Sequence, residues 1–145
     1  MSKLINLQEE KVERAIVFCP IMKDTDKEFQ FAEIERLCKS AHLNLVKIFY
    51  QDSKALIKST FIGSGKVQEI ADFVKLNNID VLVVDEKLTG SQLKNLSDAI
   101  GVKVLDRILL IIDIFALNAN SNEGKIEVKL AQNRYLLTRL SSMQG

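Results

Sequence analysis

Phe61-Ile62-Gly63-Ser64-Gly65-Lys66, followed by Val67, Ile70, Ala71, Val74 and then Val81-Leu82-Val83-Val84, decides how this chain is read. The apolar pair closes what reads as a strand, and two glycines make the turn. Lys66 opens a helix that runs to about Leu76, with Val67, Ile70, Ala71 and Val74 along one face. Val81 to Val84 is the clearest buried strand, and it ends in Asp85-Glu86. Glycine lets the backbone reach positive φ, and at least one of Gly63 and Gly65 is expected there. The first amides of a helix lack internal partners, so Gly63, Ser64, Gly65 and Lys66 form a candidate anion site in a basic neighbourhood with Lys54 and Lys58.

Outward from this unit the same alternation repeats. Ala15-Ile16-Val17-Phe18-Cys19 is a continuous apolar run, as in a strand covered on both faces, and Pro20 is expected to end it. Thr25-Asp26-Lys27-Glu28 is a capping-box pattern, followed by Phe31, Ile34, Leu37, Cys38 and Ala41 at helical spacing. Leu43 to Tyr50 reads as a strand. Thr89-Gly90-Ser91-Gln92 caps a helix with Leu93, Leu96 and Ile100 inward, and Val102 to Leu105 is a short last strand. Strands alternating with helices join parallel strands by right-handed crossovers. Residues 14–105 are therefore expected to be an α/β domain, a small parallel sheet with helices on both faces, after a flexible lead-in at 1–13.

From Asp106 the pattern changes. Leu109, Ile112, Phe115 and Ala116 form a helical stripe, and Ile108, Leu110, Ile111 and Ile114 make that helix apolar around much of its girth. A polar break, Asn118 to Gly124, precedes Ile126, Leu130, Asn133, Leu137 and Leu140 at heptad spacing. Residues 106–145 thus read as an antiparallel α-helical hairpin with those stripes packed together and a polar tip. The outer face carries Lys125, Lys129, Arg134 and Arg139 against Glu123 and Glu127, which suits a solvated surface.

Composition removes several classes of function. The chain has 145 residues, with 20 Lys and Arg against 19 Asp and Glu, so nothing global drives it to nucleic acid or membrane. Cys19 and Cys38 make no disulfide framework, and with His42 alone no metal site and no catalytic triad is expected. Without an apolar run of membrane length or a signal-peptide core, the cytoplasm is the natural location. A nucleotide P-loop fails on spacing: position 60 holds Thr60 where the first glycine belongs, and Val67 stands where a hydroxyl would meet magnesium. Asp85, at the carboxyl end of a parallel strand, lies where such folds bind ligands. A phospho-accepting receiver, however, needs an acidic pair after the first strand and a lysine after the last. Pro20-Ile21-Met22 and Asp106-Arg107 occupy those places. The plainer readings, a strand-to-helix turn at Gly63 and a carboxylate at Asp85 that caps the turn before the Thr89 helix, are the favoured ones.

Several stretches together resemble the HflX family of ribosome-associated GTPases. Phe61 to Glu69 is similar to its (Y/F)IGSGKxEE signature, and Asp85-Glu86-Lys87-Leu88-Thr89-Gly90-Ser91-Gln92 to its DDELSPSQ segment. Val104-Leu105-Asp106-Arg107 with Leu110 to Ala116 resembles VxDRTxLILDIFA. Glu123-Gly124-Lys125, Val128 and Leu130-Ala131-Gln132 resemble EGxxQVELAQ, and Tyr135 to Leu140 resembles YxLPRL. The order and distances match from about residue 14 onward. Ile108 replaces the usual threonine after Asp-Arg, and Asn118 stands where the family's hairpin loop has arginine.

The resemblance implies an amino-terminal region of a longer protein, with a glycine-rich connector and a GTPase domain to follow, that domain carrying GTP and Mg. It implies a module that binds the large ribosomal subunit and its rRNA, in a protein that splits or rescues stalled ribosomes under GTP control. The hairpin would point towards the peptidyl-transferase centre, with Asn118, Asn120, Ser121, Asn122 and Lys125 as its contacts. Amides, a hydroxyl and a cation suit folded RNA, although a surface turn uses the same residues. An adenine-nucleotide (ATP) domain is the other expectation, with ligand at Gly63–Lys66 and Asp85. No catalytic residue is expected within these 145 residues.

Overall fold

The computed structural model describes residues 11–119 and 133–135. The elements run β1 (Arg14–Ile21), α1 (Lys27–Ser40), β2 (Asn44–Asp52), a short 3-10 turn (Ser53–Ala55), α2 (Ser64–Asn77), β3 (Val81–Val84), α3 (Gly90–Ile100), β4 (Lys103–Asp106) and α4 (Arg107–Asn118). The sheet is parallel throughout, in the order β2-β1-β3-β4. β1 is its centre, and Ala15 to Cys19 are wholly removed from solvent, as the unbroken apolar run requires. The chain moves one way from β1 to β2 and then the other way to β3 and β4. With right-handed crossovers, α1 falls on one face and α2 and α3 on the other. α2 packs on α3, and α1 packs on α4, so both faces are covered.

The helix boundaries have local causes. Thr89 and Gln92 form a reciprocal capping box at the start of α3, as expected. α3 stops at Gly101, whose φ of 84° closes the last turn with an N–H to the Ser97 carbonyl. At α1 the cap is Asp26 rather than Thr25; its carboxylate accepts from the Phe29 amide.

The glycine turn differs from its reading. Phe61 and Ile62 close no strand: β2 ends at Asp52, whose carboxylate accepts from the Lys54 amide and starts the 3-10 turn. Phe61 makes only an isolated bridge to Ile57. α2 begins at Ser64, so Gly65 lies inside the helix, and Gly63 caps it at φ −57°. Neither glycine has positive φ; Phe61 does, at 66°. A bulky residue rarely adopts that conformation, and the edge-on contact between the Phe61 and Phe18 rings helps hold it. Gly63 is required for space instead. A Cβ there would lie 2.8 Å from the Ala55 carbonyl oxygen and 2.9 Å from Gln51 Nε2, whereas at Gly65 it would meet nothing.

Pro20 does not end β1 either. The strand continues to Ile21 alongside β2, but its pairing with β3 stops at Phe18–Val84. Proline is tolerated because β1 has become a sheet edge on that side.

Leu109 and Leu110 of α4 enter the core, with Ile114 packed against it. Phe115, expected in a hairpin seam, is 61% exposed. The helix turns Leu109, Leu110 and Ile114 to the sheet and α1, and Phe115 falls outside that sector. Asn133 to Tyr135 are helical; Ile126, Leu130, Leu137 and Leu140, and with them the expected pairing of two limbs in a hairpin, lie outside the described residues.

Candidate functional site

Reversal of strand order puts a topological switch point between the carboxyl ends of β1 and β3, the crevice where open α/β sheets take ligands. A cleft of about 340 Å³ lies there. Pro20 and Met22 come from the end of β1, Asp26, Phe29, Gln30 and Glu33 from the start of α1, Asp85 and Glu86 from beyond β3, and Arg107 from the first turn of α4. The lining is therefore gathered from four places, the ends of two neighbouring strands and the starts of two helices packed on the sheet.

Asp85 is the floor, with its side chain 4% exposed. Its Oδ2 accepts from Gln30 Nε2 at 3.3 Å and faces the Cys19 thiol at 4.0 Å. Gln30 Nε2 also donates to the Pro20 carbonyl at 3.2 Å. Arg107 Nη2 is bound to Glu33 Oε1 at 2.6 Å, while its Nη1 stands 3.5 Å from Asp85 Oδ1. Burial pushes the Asp85 carboxyl above its ordinary range; the Gln30 bond and the Arg107 charge oppose that shift, and Glu33 and Glu86 reinforce it. Burial likewise pushes the Cys19 and Cys38 thiols up to about 12, so neither is a thiolate nucleophile near neutral pH.

Beside the cleft, Asp106 is completely buried and works as a structural hub. It caps α4 through the Leu109 amide at 2.9 Å, accepts the Leu88 amide at 3.1 Å, and accepts the Tyr135 hydroxyl. The Asp85–Gln92 segment is thereby fastened to α4 and to Tyr135.

The glycine turn does not line this cleft. The Gly63 amide donates to Gln51 Oε1 at 3.0 Å, and Lys66 Nζ pairs with Glu69 at 3.2 Å. Ser64 is exposed and Gly65 opens on empty space. Asp85 and the turn thus belong to separate surfaces. Asn118 is exposed at the end of α4, while Asn120, Ser121, Asn122 and Lys125 lie outside the described residues. Among the described residues no group of three or more His, Cys, Asp or Glu could hold a metal ion, and no helix is long and apolar enough to cross a membrane.

Sequence reasoning missed Gln30, Glu33 and Arg107. Gln30 stands at the helical spacing of Ile34 and Cys38, so a polar residue on the buried stripe was the available signal. Arg107 was visible only as part of the Asp-Arg pair that ends the last strand.

A family model described as GTP-binding GTPase N-terminal matches residues 28–116. The chain is 42% identical over 133 residues to a GTPase HflX of Caldanaerobacter subterraneus subsp. tengcongensis, covering 92% of this chain and 31% of that protein. It is 40% identical over 118 residues to GTPase HflX of Escherichia coli K12, covering 81% and 28% respectively. Among solved structures, a GTP-binding protein from the hyperthermophilic archaeon Sulfolobus solfataricus in complex with GDP superposes with a TM-score of 0.71 at 28% identity, over 92% of this chain and 40% of that one. The chain spans about a third of the length of the curated relatives it matches.

Proposed function

The chain belongs to the GTP-binding GTPase N-terminal family, matching the amino-terminal third of GTPases HflX, and from that premise we propose that it is a ribosome-binding module. Its target is the large subunit and its rRNA, and it serves a GTPase domain that carries GTP and Mg. The whole protein would split or rescue stalled ribosomes.

The observation that carries this reading is the anchoring of α4. Its first turn is fixed by Asp106, Leu109 and Leu110 in the core, whereas Phe115, Leu117 and Asn118 at the far end are exposed. A helix rooted at one end and open at the other can deliver an amide and an aromatic ring to a partner without disturbing the sheet. Unpaired RNA bases stack on exposed aromatic rings and hydrogen-bond to amides. The segment that follows, with Asn120, Ser121, Asn122 and Lys125, extends the same chemistry.

Co-sedimentation with large ribosomal subunits tests the reading. It compares this chain and the intact GTPase, with and without a GTP analogue. Asn118, Asn120 and Asn122 replaced by alanine should weaken binding of the intact protein and leave melting unchanged. Undiminished binding by that variant would overturn the assignment of the contact.

A further inference from the structure

We propose that the switch-point cleft binds an organic cation, a guanidinium group on an aliphatic stem, between the ring of Phe29 and the carboxylates of Glu33 and Glu86 above Asp85. The first ground is charge. Among the described residues, Asp26, Glu33, Asp85 and Glu86 line the cleft against one cation, Arg107, a formal balance of 1 − 4 = −3 when all are ionised. A phosphate-bearing ligand is repelled by that field, and a cation is drawn into it.

The second ground is an imbalance of donors and acceptors. Among the described residues, Asp85 Oδ1 and Gln30 Oε1 are buried without a hydrogen-bond partner. Turning the Gln30 amide over cannot help, because its nitrogen already serves two acceptors, the Pro20 carbonyl and Asp85 Oδ2. Buried acceptors without donors are rare and unfavourable, so the site lacks N–H groups rather than oxygens. Arg107 Nη1 is ion-paired with Asp85 Oδ1 at 3.5 Å but makes no hydrogen bond to it, its other nitrogen being engaged by Glu33. A guest that pairs with Glu33 would release Arg107 to close on Asp85.

The third ground is the rim. Phe29 is 63% exposed and Met22 is also exposed, and both line the cleft. An aromatic face attracts cations, and a planar guanidinium both stacks on it and forks onto carboxylates. Pro20 and Met22 give the stem an apolar track. A bare divalent ion does not fit, since no group of at least three acidic, His or Cys ligands converges among the described residues. The volume is that of a small-ligand site.

Titration of the ¹⁵N-labelled chain, followed by amide chemical shifts, tests this with agmatine, with an arginine-containing peptide and with ATP. Saturable shifts at Phe29, Gln30, Asp85 and Arg107 with agmatine are expected. Saturation by the peptide alone would place the guanidinium on a protein partner, whereas saturation by both would include a free metabolite. Glu33→Gln and Glu86→Gln together should weaken binding by about tenfold, in line with loss of a charge-assisted contact. Phe29→Ala, at an exposed position, gives a second loss variant that keeps the fold. Absence of a saturable shift with either guanidinium probe, undiminished binding by the variants, or stronger shifts at these amides with ATP would overturn the proposal.

Discussion

Replacing Gly63 by alanine isolates the reason for the glycine turn. The new Cβ would meet the Ala55 carbonyl oxygen at 2.8 Å and Gln51 Nε2 at 2.9 Å. Gln51 can swing aside, but doing so breaks its bond from the Gly63 amide. The Ala55 oxygen belongs to the backbone of the 3-10 turn and can move only with it. Overpacking of this kind costs about 1–3 kcal/mol. Loss of the Gln51 bond adds about 0.5–1.5 kcal/mol. The expected destabilisation is therefore about 2–4 kcal/mol, a fall in Tm of about 5–15 °C for a domain of this size. Gly65→Ala is the control, because its Cβ enters open space at a helical position. It should stabilise by about 0.5 kcal/mol through helix propensity. Urea unfolding of both variants, followed by far-UV circular dichroism, measures the difference directly. A Gly63→Ala variant within about 0.5 kcal/mol of the parent, or a destabilised Gly65→Ala, would refute the steric account.

Other substitutions probe the buried polar groups. Asp106→Ala removes the α4 cap and strands the Leu88 amide and the Tyr135 hydroxyl; a loss of at least about 3 kcal/mol in urea unfolding is expected. Asp85 has a raised folded pKa, so the native state holds its proton more tightly than the unfolded chain does. Stability should therefore fall as pH rises from its ordinary 3.8 through the raised folded value. Asp85→Asn should flatten that slope, and parallel pH profiles for the two proteins would contradict it. The Cys19 and Cys38 thiols, raised to about 12 and buried, should react with a disulfide reagent at pH 8 only as fast as the chain opens. Rapid labelling of the native protein would count against their burial.

The α/β alternation was legible because it rests on periodicity. The apolar runs at Ala15–Cys19 and Val81–Val84 are strands without solvent, and the stripes of α2 and α3 face the sheet as their spacing says. Pro20 misled because the rule that proline ends a strand assumes neighbours on both sides, and strand order is not written in local sequence. Gly63 misled because glycine satisfies either a dihedral or a distance, and the Ala55 oxygen that decides between them arrives through tertiary packing. The cleft was half legible. Asp85 stood at a strand's carboxyl end, but Gln30, Glu33 and Arg107 meet it only after α1 and α4 lie side by side.

The central place of β1 has a kinetic consequence. The first strand made must wait for the third, since Phe18 pairs with Val84, which lies 84 − 18 = 66 residues later. At typical synthesis rates that interval is about 3 to 13 s. During it, β1 can pair with β2 on one flank and leaves an apolar edge, Ala15 to Phe18, open on the other. Such an edge is a template for pairing with other chains. The nascent chain is safest once Val81–Val84 has emerged and closed that side, so a delay while the stretch from Asp52 to Val84 is emerging should raise misassembly more than a delay once Asp106 is outside the ribosome.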